Sequence, residues 1–446
     1  MRQRWEAEAP RGLRLAGMAA VLACAAIAPN AMGTPSVASL YAFRGKADGA
    51  SPEGGVIQGL DGTIYGTADQ GGVDDNGTVF SLTPPAVSGG TWTFKVLYCL
   101  QGGAGGGYPL GLTQDKNGNL YGYAIDFGAG HGTVFQLQKP ATPGKAWRFR
   151  TLYAFQGGKD GDFPSGLAVQ PDGDLIGTTG HGGGRGACRD AEGDTPYGCG
   201  TVFQLTPPAA KGGAWTETVL YRFAGGADGA IPIGAPIRVG GALYGVTTEG
   251  GGGPCDQPGT GTTVGCGSVY KLSQARSGKW VETVVYRFPG GGSGWAPVGG
   301  LTADSQGKFY GATAFGGLDA NDGYGNGLVF ELTPATAGGF SEIVLHQFAG
   351  GAADGYQPQS GVLLDQQGNL HGTTYLGPIG AWGIAYTLAP PGASGGLWTE
   401  TVDARFSGPA GAYPTGSLAI GGNGALYGVT LQGGRYNQGA VYQVAP

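Results

Sequence analysis

The stretch "LYAFQGGKDGDFPSGL" (residues 152–167) decides the fold because the chain repeats it. It returns as "LYRFAGGADGAIPIGA" at residues 220–235. Copies begin at seven positions that are 55 to 68 residues apart, namely Leu40, Leu97, Leu152, Leu220, Val285, Leu345 and, in degenerate form, Asp403. A repeat of this length with strand-like pieces inside it is typical of a propeller or a solenoid.

Each copy contains four short pieces that are rich in β-branched or aromatic residues and bounded by Gly, Pro or Asp. In the third copy these pieces are residues 164–170, 174–180, 200–207 and 215–223. Two-residue hairpin turns need a positive φ, which Asp-Gly and Asn-Gly pairs supply. Such pairs occur at Asp61-Gly62, Asn117-Gly118, Asp172-Gly173 and Asn423-Gly424. The pieces are therefore predicted to be consecutive antiparallel strands.

One four-stranded sheet of this size cannot bury both faces, but seven sheets arranged radially cover one another. The sequence therefore predicts an all-β fold, a seven-bladed β-propeller of four-stranded antiparallel blades. The first copy begins with a fourth strand at 37–43, and the chain ends with a third strand at 440–446. This offset predicts that the N-terminal strand joins the C-terminal blade and closes the ring. A β-solenoid is the alternative, although it would not need the offset.

Composition favours a folded, turn-rich protein and excludes one class of partner. The chain has 96 glycines and 28 prolines, yet 10% of its residues are aromatic and 41% are apolar. A disordered chain would lack this apolar content. The net charge is −6 and the sequence has no run of Lys or Arg, so nothing is present to neutralise a phosphate backbone. Nucleic acid is not expected as a partner.

The N-terminus has the pattern of an export signal. Four arginines precede the apolar run at residues 15–28, which is too short to span a bilayer. We expect a signal peptide at 1–31, a single repeat domain at 32–446, and a secreted or cell-envelope location. A lipoprotein signal ending at Cys24 is the less favoured alternative. No second apolar run follows, so we expect no integral membrane segment in the mature chain, and we expect a monomer.

One copy carries the repeat wording most fully. It reads "LYAFRGKADGASPEGGVIQGLDGTIYGTADQGGVDDNGTVFSLTPP" at residues 40–85. This wording resembles the GloVer, or Gloeo-Verruco, tandem-repeat proteins over nearly the whole mature chain. The resemblance implies an exported bacterial repeat protein and no particular chemistry. A wider similarity to NHL-like propellers concerns architecture alone.

Two cysteine pairs lie at the same place in successive copies. Cys188 and Cys199 are eleven residues apart, as are Cys255 and Cys266. In an exported protein this pattern favours two disulfides. Metal binding is the alternative, but neither pair has CxxC spacing or an accompanying His. Cys99 replaces an Ala of the repeat and is expected to pack unpaired.

The remaining polar candidates do not predict a metal, a cofactor or a catalytic set. His346 and His371 occupy tyrosine positions of the repeat and are expected to be structural. His131 and His181 lie in loops of neighbouring blades and are expected to be solvated, with a joint metal or acid–base role as the less favoured alternative. The repeated Asp before Gly suits a turn better than a calcium loop; it occurs at Asp48, Asp160, Asp228 and Asp354, and "LDANDG" at 318–323 is a similar case.

Propeller enzymes commonly place ligands or acid–base residues where the inner strands begin. Here these positions are Glu53, Leu110, Ser165, Ile233, Val298, Gln359 and Thr415. One carboxylate cannot form a metal cage or an acid–base pair. The sequence therefore makes an enzyme less expected than a binding protein.

Aromatic residues precede the proline of five inner strands, and they are Tyr108, Phe163, Trp295, Tyr356 and Tyr413. The loops between the cysteines should emerge at the same end of the propeller, with the polar residues Arg185, Arg189, Asp190, Tyr197 and Asp256. Flat aromatic faces suit sugar rings or peptide strands, although aromatics at a repeated position also serve as packing. We expect a binding or surface scaffold for polysaccharide or envelope protein. The alternatives are a lyase or lactonase acting from the same face, and a passive structural repeat.

Overall fold

The computed structural model describes most of the repeat region. It covers residues 37–445, except 88, 127, 187, 189–197, 211, 257–261, 319–323, 336–337, 352–353 and 394–395. The expected signal peptide, with Cys24, lies outside the described residues. So do Arg189, Asp190, Tyr197 and most of the "LDANDG" segment. Among the described residues, no helix is long and apolar enough to cross a membrane.

The described strands form seven antiparallel sheets, which are the blades. Strand β1 (Val37–Ala42) is followed by blade 1, with β2 (Val56–Gln58), β3 (Ile64–Ala68), β4 (Thr78–Thr83) and β5 (Thr93–Cys99). Blade 2 has β6 (Gly107–Gln114), β7 (Leu120–Asp126), β8 (Thr133–Gln138) and β9 (Arg148–Ala154). Blade 3 has β10 (Asp162–Val169), β11 (Leu175–His181), β12 (Thr201–Thr206) and β13 (Thr216–Arg222). Blade 4 has β14 (Ala230–Val239), β15 (Ala242–Glu249), β16 (Ser268–Gln274) and β17 (Trp280–Arg287).

The remaining blades follow the same order. Blade 5 has β18 (Trp295–Ala303), β19 (Phe309–Phe315), β20 (Leu328–Pro334) and β21 (Phe340–Gln347). Blade 6 has β22 (Tyr356–Pro358), β23 (Leu363–Leu364), β24 (Leu370–Leu376), β25 (Ile384–Ala389) and β26 (Thr399–Arg405). Blade 7 has β27 (Ala412–Ile420), β28 (Leu426–Gln432) and β29 (Ala440–Val444). In blade 6 the inner strand is split, and β22 and β23 both pair with β24.

Ring closure follows the prediction from the repeat offset. Strand β1 pairs antiparallel with β29, from Val37 opposite Val444 to Ala42 opposite Ala440. The two ends of the described chain thus share one blade. Main-chain hydrogen bonds between them close the ring, as the sequence analysis predicts.

The first strand of each blade is the innermost, and neighbouring inner strands approach through glycine. A Cβ atom on Gly299 of blade 5 would collide with the backbone nitrogen of Gly361 in blade 6. Hydroxyl groups add contacts between blades, because Ser165 Oγ donates to the carbonyl of Pro232 at 2.8 Å and Thr415 Oγ1 donates to that of Pro52 at 3.3 Å. Two of the predicted inner-strand positions therefore serve blade packing.

The repeated Gly, Phe and Pro join each blade to the next. Gly200 has a φ of 93°, and a Cβ there would lie 2.5 Å from Pro232 Cδ of blade 4. The N–H of Phe223 donates to the Gly200 carbonyl, and the N–H of Ile231 donates to the Cys199 carbonyl, both at 3.0 Å. Only glycine tolerates this conformation and this contact. Corresponding contacts recur at the other blade junctions.

The repeated Asp closes a turn, as predicted, and it has a tyrosine partner. Tyr41 donates its hydroxyl to Asp48 Oδ2 at 2.6 Å, and the N–H of Arg44 donates to the same oxygen at 3.1 Å. Tyr153 and Asp160 form the equivalent hydrogen bond at 2.9 Å. The Tyr of "LYxF" and the Asp of "DG" are thus two ends of one structural contact.

Candidate functional site

We call the end of the propeller that carries the loops into the inner strands, together with the loops between second and third strands, the loop face. On it, the residue before each repeated proline has a left-handed backbone. The seven residues have φ between 51° and 60°, and they are Ser51, Tyr108, Phe163, Ile231, Ala296, Gln357 and Tyr413. Left-handed φ is uncommon for non-glycine residues and persists only where the surroundings impose it. Here each N–H donates to a carbonyl of the preceding blade's loop, so these side chains are held at fixed positions.

The five predicted aromatic residues divide into two sets. Tyr108, Phe163 and Tyr413 occupy this left-handed position directly before proline. Trp295 and Tyr356 lie one residue earlier, where they pair in the ladder with Phe315 and Leu376, respectively. The five residues therefore do not form one equivalent ring of exposed side chains.

Trp295 is a packing residue, which corrects its expected place in an exposed platform. Its side chain is only 7% exposed. The indole stacks on Phe315 with ring centroids 4.5 Å apart, and its N–H donates to the carbonyl of Tyr324 at 3.3 Å. The reason is its position in the ladder, which turns the ring towards the end of β19.

A stack of three aromatic rings, Tyr375, Trp382 and Tyr413, lies at blades 6 and 7, and we call it the aromatic cluster. Tyr413 stacks on Tyr375 with centroids 4.8 Å apart and lies nearly parallel to Trp382, with centroids 6.0 Å apart and 7° between the planes. Trp382 is 47% exposed. The N–H of Tyr413 donates to the Trp382 carbonyl at 2.7 Å. The cluster is thus anchored through its backbone and open to solvent at Trp382.

Polar groups surround the aromatic cluster. Burial, followed by the neighbouring Tyr413, raises the pKa of Tyr356. Burial, then Tyr413 and then the Glu53 carboxylate raise the pKa of Tyr375. Both phenols therefore remain protonated at neutral pH and can donate hydrogen bonds. Glu53, the single carboxylate among the predicted inner-strand positions, lies close enough to affect one of them.

Sequence reasoning missed Tyr375 and Trp382. Tyr375 is the third residue after the repeated Gly of the second strand, where the other copies have Asp69, Ile125, Gly180, Thr248, Ala314 and Leu431. Such variability within a repeat is the signal that could have identified it. Trp382 lies in the loop "GPIGAWG" (377–383), which also exposes Ile379 at 95%. Two exposed apolar residues in one short loop are a second signal.

A histidine–carboxylate pair lies elsewhere on the loop face. His131 Nδ1 and Asp162 Oδ2 are 3.1 Å apart, so a carboxylate does accompany this histidine. Burial lowers the pKa of His181, and the charge of Asp162 opposes that effect. The ring of His181 is half-buried and lies 5.4 Å from that of Phe163. The expectation that both histidines are solvated loop residues is therefore wrong for His181, because it is the last residue of β11 and pairs with Asp162 of β10.

His371 fits its predicted structural role. Its Nε2 lies 3.1 Å from Asp365 Oδ2, and its Nδ1 lies 2.8 Å from Thr387 Oγ1. These contacts join a turn of blade 6 to the neighbouring strand β25. His346 has two carboxylate neighbours, Asp354 and Glu400, in the cleft between blades 5 and 6.

The structure places both cysteine pairs at disulfide distance. The Cα atoms are 5.2 Å apart for Cys188 and Cys199, and 5.0 Å apart for Cys255 and Cys266. Each pair braces a loop between the second and third strands, in blades 3 and 4. Cys99 is a free, half-buried thiol.

Two cavities among the described residues are small. One of about 150 Å³ lies beside the inner strands and is lined in part by Gly299, Gly361 and Ser417. Another of about 130 Å³ lies at the turns around Asp61 and Lys139. Small-molecule sites generally enclose roughly 300–1,000 Å³. Neither of these two cavities is large enough to enclose a ligand of sugar size.

The fold and the loop face define the class, a seven-bladed repeat β-propeller with an exposed aromatic cluster. The Gloeobacter/Verrucomicrobia repeat matches residues 28–257 and 257–446. The chain belongs to this repeat family. No curated protein matches its sequence.

Several solved structures are similar to this chain at low identity. PorZ, a surface component of the type-IX secretion system of Porphyromonas gingivalis, is 13% identical with a TM-score of 0.51; the match covers 91% of this chain and 47% of PorZ. An aldose sugar dehydrogenase from Streptomyces coelicolor is 14% identical with a TM-score of 0.43, covering 92% and 98% of the two chains. A gluconolactonase from Xanthomonas campestris is 12% identical with a TM-score of 0.41, covering 92% and 89%. At these identities the similarity concerns the fold alone.

Proposed function

We propose that this protein is an exported binding propeller that holds polysaccharide on its loop face, at the aromatic cluster. The observation that carries the proposal is the anchored stack of Tyr375, Tyr413 and the 47% exposed Trp382. A solvent-exposed aromatic stack held by main-chain hydrogen bonds offers a large contact area at little entropic cost.

The neighbouring groups fit a sugar better than an apolar ligand. Hydroxyl groups of Tyr356 and Tyr375 can donate hydrogen bonds, and the carboxylate of Glu53 can accept them from sugar hydroxyls. The cavity beside the inner strands, of about 150 Å³, is too small to enclose a ligand of this size. The proposed mode is therefore stacking of a sugar ring on Trp382 with polar contacts at its edge.

The proposed export is supported by the two disulfides and by the N-terminal sequence pattern. Disulfides persist in oxidising compartments such as the periplasm and the extracellular space. A polysaccharide of the envelope or extracellular matrix is thus the proposed ligand class. An envelope protein is the alternative partner, which the test below distinguishes.

The test is an array of glycans and cell-envelope fractions probed with the purified protein under non-reducing conditions. A glycan signal that is lost in a Trp382→Ala, Tyr413→Ala double variant would support the proposal. Phe163→Ala is the matched control, because Phe163 is 40% exposed at the same left-handed position in blade 3. A glycan signal that is insensitive to the double variant would refute the proposed site, and a signal only from envelope protein would refute the ligand class.

The catalytic alternative is a lyase or lactonase that acts from the same loop face. The observation in its favour is the pair His131–Asp162, a potential acid–base group. Incubation of the bound glycan, or of a lactone panel, with the protein would give product that His131→Ala abolishes if this alternative is right. Absence of both binding and turnover would favour the passive structural repeat.

A further inference from the structure

The outer strands of neighbouring blades meet in clefts that contain a recurring set of three residues. Between blades 2 and 3, Tyr153 donates its hydroxyl to Asp160, and the charge of Glu217 from the next outer strand acts on that tyrosine. Between blades 3 and 4 the corresponding residues are Tyr221, Asp228 and Glu282. Glu217 and Glu282 each have one buried carboxylate oxygen without a hydrogen-bond partner. Each cleft thus contains one phenol and two carboxylates that act on it.

The cleft between blades 5 and 6 has an imidazole in place of the phenol. His346 Nε2 lies 3.3 Å from Asp354 Oδ2 and 3.7 Å from Glu400 Oε1. Glu400 Oε1 is buried and has no hydrogen-bond partner. Asp354 is held in place, because its two oxygens accept the N–H groups of Ala349 at 2.7 Å and Gly355 at 2.6 Å.

The exchange of phenol for imidazole changes what the cleft can bind. A neutral phenol is a poor metal ligand at neutral pH, and burial keeps Tyr153 and Tyr221 protonated by raising their pKa. A neutral imidazole presents a nitrogen lone pair, which makes histidine the commonest metal ligand. Among the described residues, His346, Asp354 and Glu400 form the group whose three ligand atoms all lie within 4.8 Å of one another.

Two of the three distances between the ligand atoms suit a small tetrahedral ion, and the third is within 4.8 Å. Bonds to zinc of about 2.0–2.2 Å place neighbouring ligand atoms of a tetrahedron about 3.3–3.6 Å apart. The two distances from His346 Nε2 are 3.3 and 3.7 Å. The side chains of His346, Asp354 and Glu400 are 20%, 10% and 17% exposed, so water can reach the fourth position.

We propose that His346 Nε2, Asp354 Oδ2 and Glu400 Oε1 bind one Zn²⁺ ion that ties the outer strands of blades 5 and 6 together. This site differs from the sequence expectation of no metal. His346 and Asp354 occupy the repeat positions of the Tyr–Asp contact. Glu400 comes from β26 of the next blade, so no local spacing in the sequence encodes the full set of three ligands. The ion neutralises two carboxylates that otherwise face each other in a half-buried cleft.

The test is zinc binding by the untagged full-length protein after treatment with a chelator and dialysis. Elemental analysis and titration against a zinc indicator should give one Zn²⁺ per chain, and zinc should raise the melting temperature. His346→Tyr should weaken binding by at least about tenfold. This variant restores the residue present at Tyr153 and Tyr221 and should therefore fold. Glu400→Gln, which keeps the side-chain shape, should weaken binding similarly.

Two further variants make the test specific. His131→Gln removes the histidine of the His131–Asp162 pair, which lacks a third ligand among the described residues. This variant should still bind one Zn²⁺ per chain. Tyr221→His should add a second zinc site with Asp228 and Glu282. No zinc uptake by the protein without substitutions would overturn the proposal. Equal zinc uptake by His346→Tyr and by the original chain would also overturn it.

Discussion

Two aromatic pairs on the loop face look alike as pairs of rings but differ in what covers them. Trp295 stacks on Phe315 at 4.5 Å and is 7% exposed. Tyr413 stacks on Tyr375 at 4.8 Å and extends to Trp382, which is 47% exposed. The first pair is closed by Tyr324, whose carbonyl accepts the indole N–H. The second pair continues to a ring in solvent.

One residue of register relative to proline accounts for the difference. Trp295 is two residues before Pro297 and belongs to the strand ladder, whereas Tyr413 is directly before Pro414 and has a φ of 60°. At Trp295 the ladder position buries the ring under Tyr324, whereas at Tyr413 the left-handed position leaves the ring stacked on the exposed Trp382. Tyr356 shares the ladder position of Trp295 and is only half-buried, so this register buries an aromatic ring where a neighbouring residue covers it.

The largest expected effect is on the glycine–proline contacts between blades, which both regions share. Gly267 supports the blade of Trp295, and Gly383 supports the blade of Tyr413. A Cβ at Gly267 would lie 2.5 Å from the Thr247 carbonyl oxygen and 2.6 Å from Pro297 Cδ. Gly267→Ala and Gly383→Ala should each cost at least about 4 kcal/mol of unfolding free energy in urea titrations.

Gly278 is the matched control for these two substitutions. Its φ is also positive, at 82°, but nothing lies within 4 Å of its Cβ position. Gly278→Ala should cost about 1 kcal/mol, the strain of the backbone alone. Equal losses at Gly267 and Gly278 would show that the contact with proline does not hold the blades together.

The next largest expected effect is the difference in unfolding free energy between variants of the two aromatic pairs. Trp295→Ala empties a buried site and should cost about 3–4 kcal/mol. Tyr413→Ala removes a ring that is already partly solvated and should cost less than half as much. Chemical denaturation of the two variants, measured side by side, checks this order, and a reversed order would place the packing role at Tyr413.

A smaller effect is expected from the disulfide near the first pair. Cys255 and Cys266 lie in the same hydrophobic cluster as Trp295 and Phe288. Replacing both cysteines with Ser should cost about 2–3 kcal/mol and increase hydrogen exchange around Trp295. Exchange around Trp382 should stay unchanged. Equal loss of protection at both places would mean that the two regions unfold as one unit.

The smallest expected effect is a pH dependence of folding stability that glycan binding does not share. Burial raises the pKa of Glu249, in blade 4 next to the blade of Trp295, to about 7. The folded state therefore keeps a proton that the unfolded state releases near pH 4.5, and stability falls as pH rises from about 4.5 to 7. The melting temperature should drop by a few degrees between pH 5 and 8, and Glu249→Gln should reduce this drop.

Ligand binding should respond differently over the same range. The raised pKa values of Tyr356 and Tyr375 keep their hydroxyls protonated throughout it. Glycan affinity measured at pH 5 and pH 8 should therefore be nearly equal in the original chain and in Glu249→Gln. An affinity that changed with pH as the melting temperature does would mean that binding depends on the overall stability of the propeller and not on the aromatic cluster.

The repeat made the fold predictable, because Gly, Pro and Asp at fixed offsets encode turns and blade contacts locally. The blade count, the antiparallel order, the closing strand and the cysteine partners all follow from spacing in the sequence. The aromatic cluster follows only in part, since Tyr413 was a predicted contact, whereas Tyr375 and Trp382 occupy positions of the second strand and the following loop that vary between the copies. The set of His346, Asp354 and Glu400 was likewise unpredictable, because it forms between two blades.

The most direct test of the central claim is a tryptophan-fluorescence titration of the glycan that binds best, with single variants. Trp382→Ala should weaken affinity at least about tenfold and remove most of the fluorescence change, while Phe163→Ala and Trp295→Phe should bind as the original chain does. Unchanged affinity in Trp382→Ala, together with a loss in Phe163→Ala, would contradict the claim and place the ligand elsewhere on the loop face.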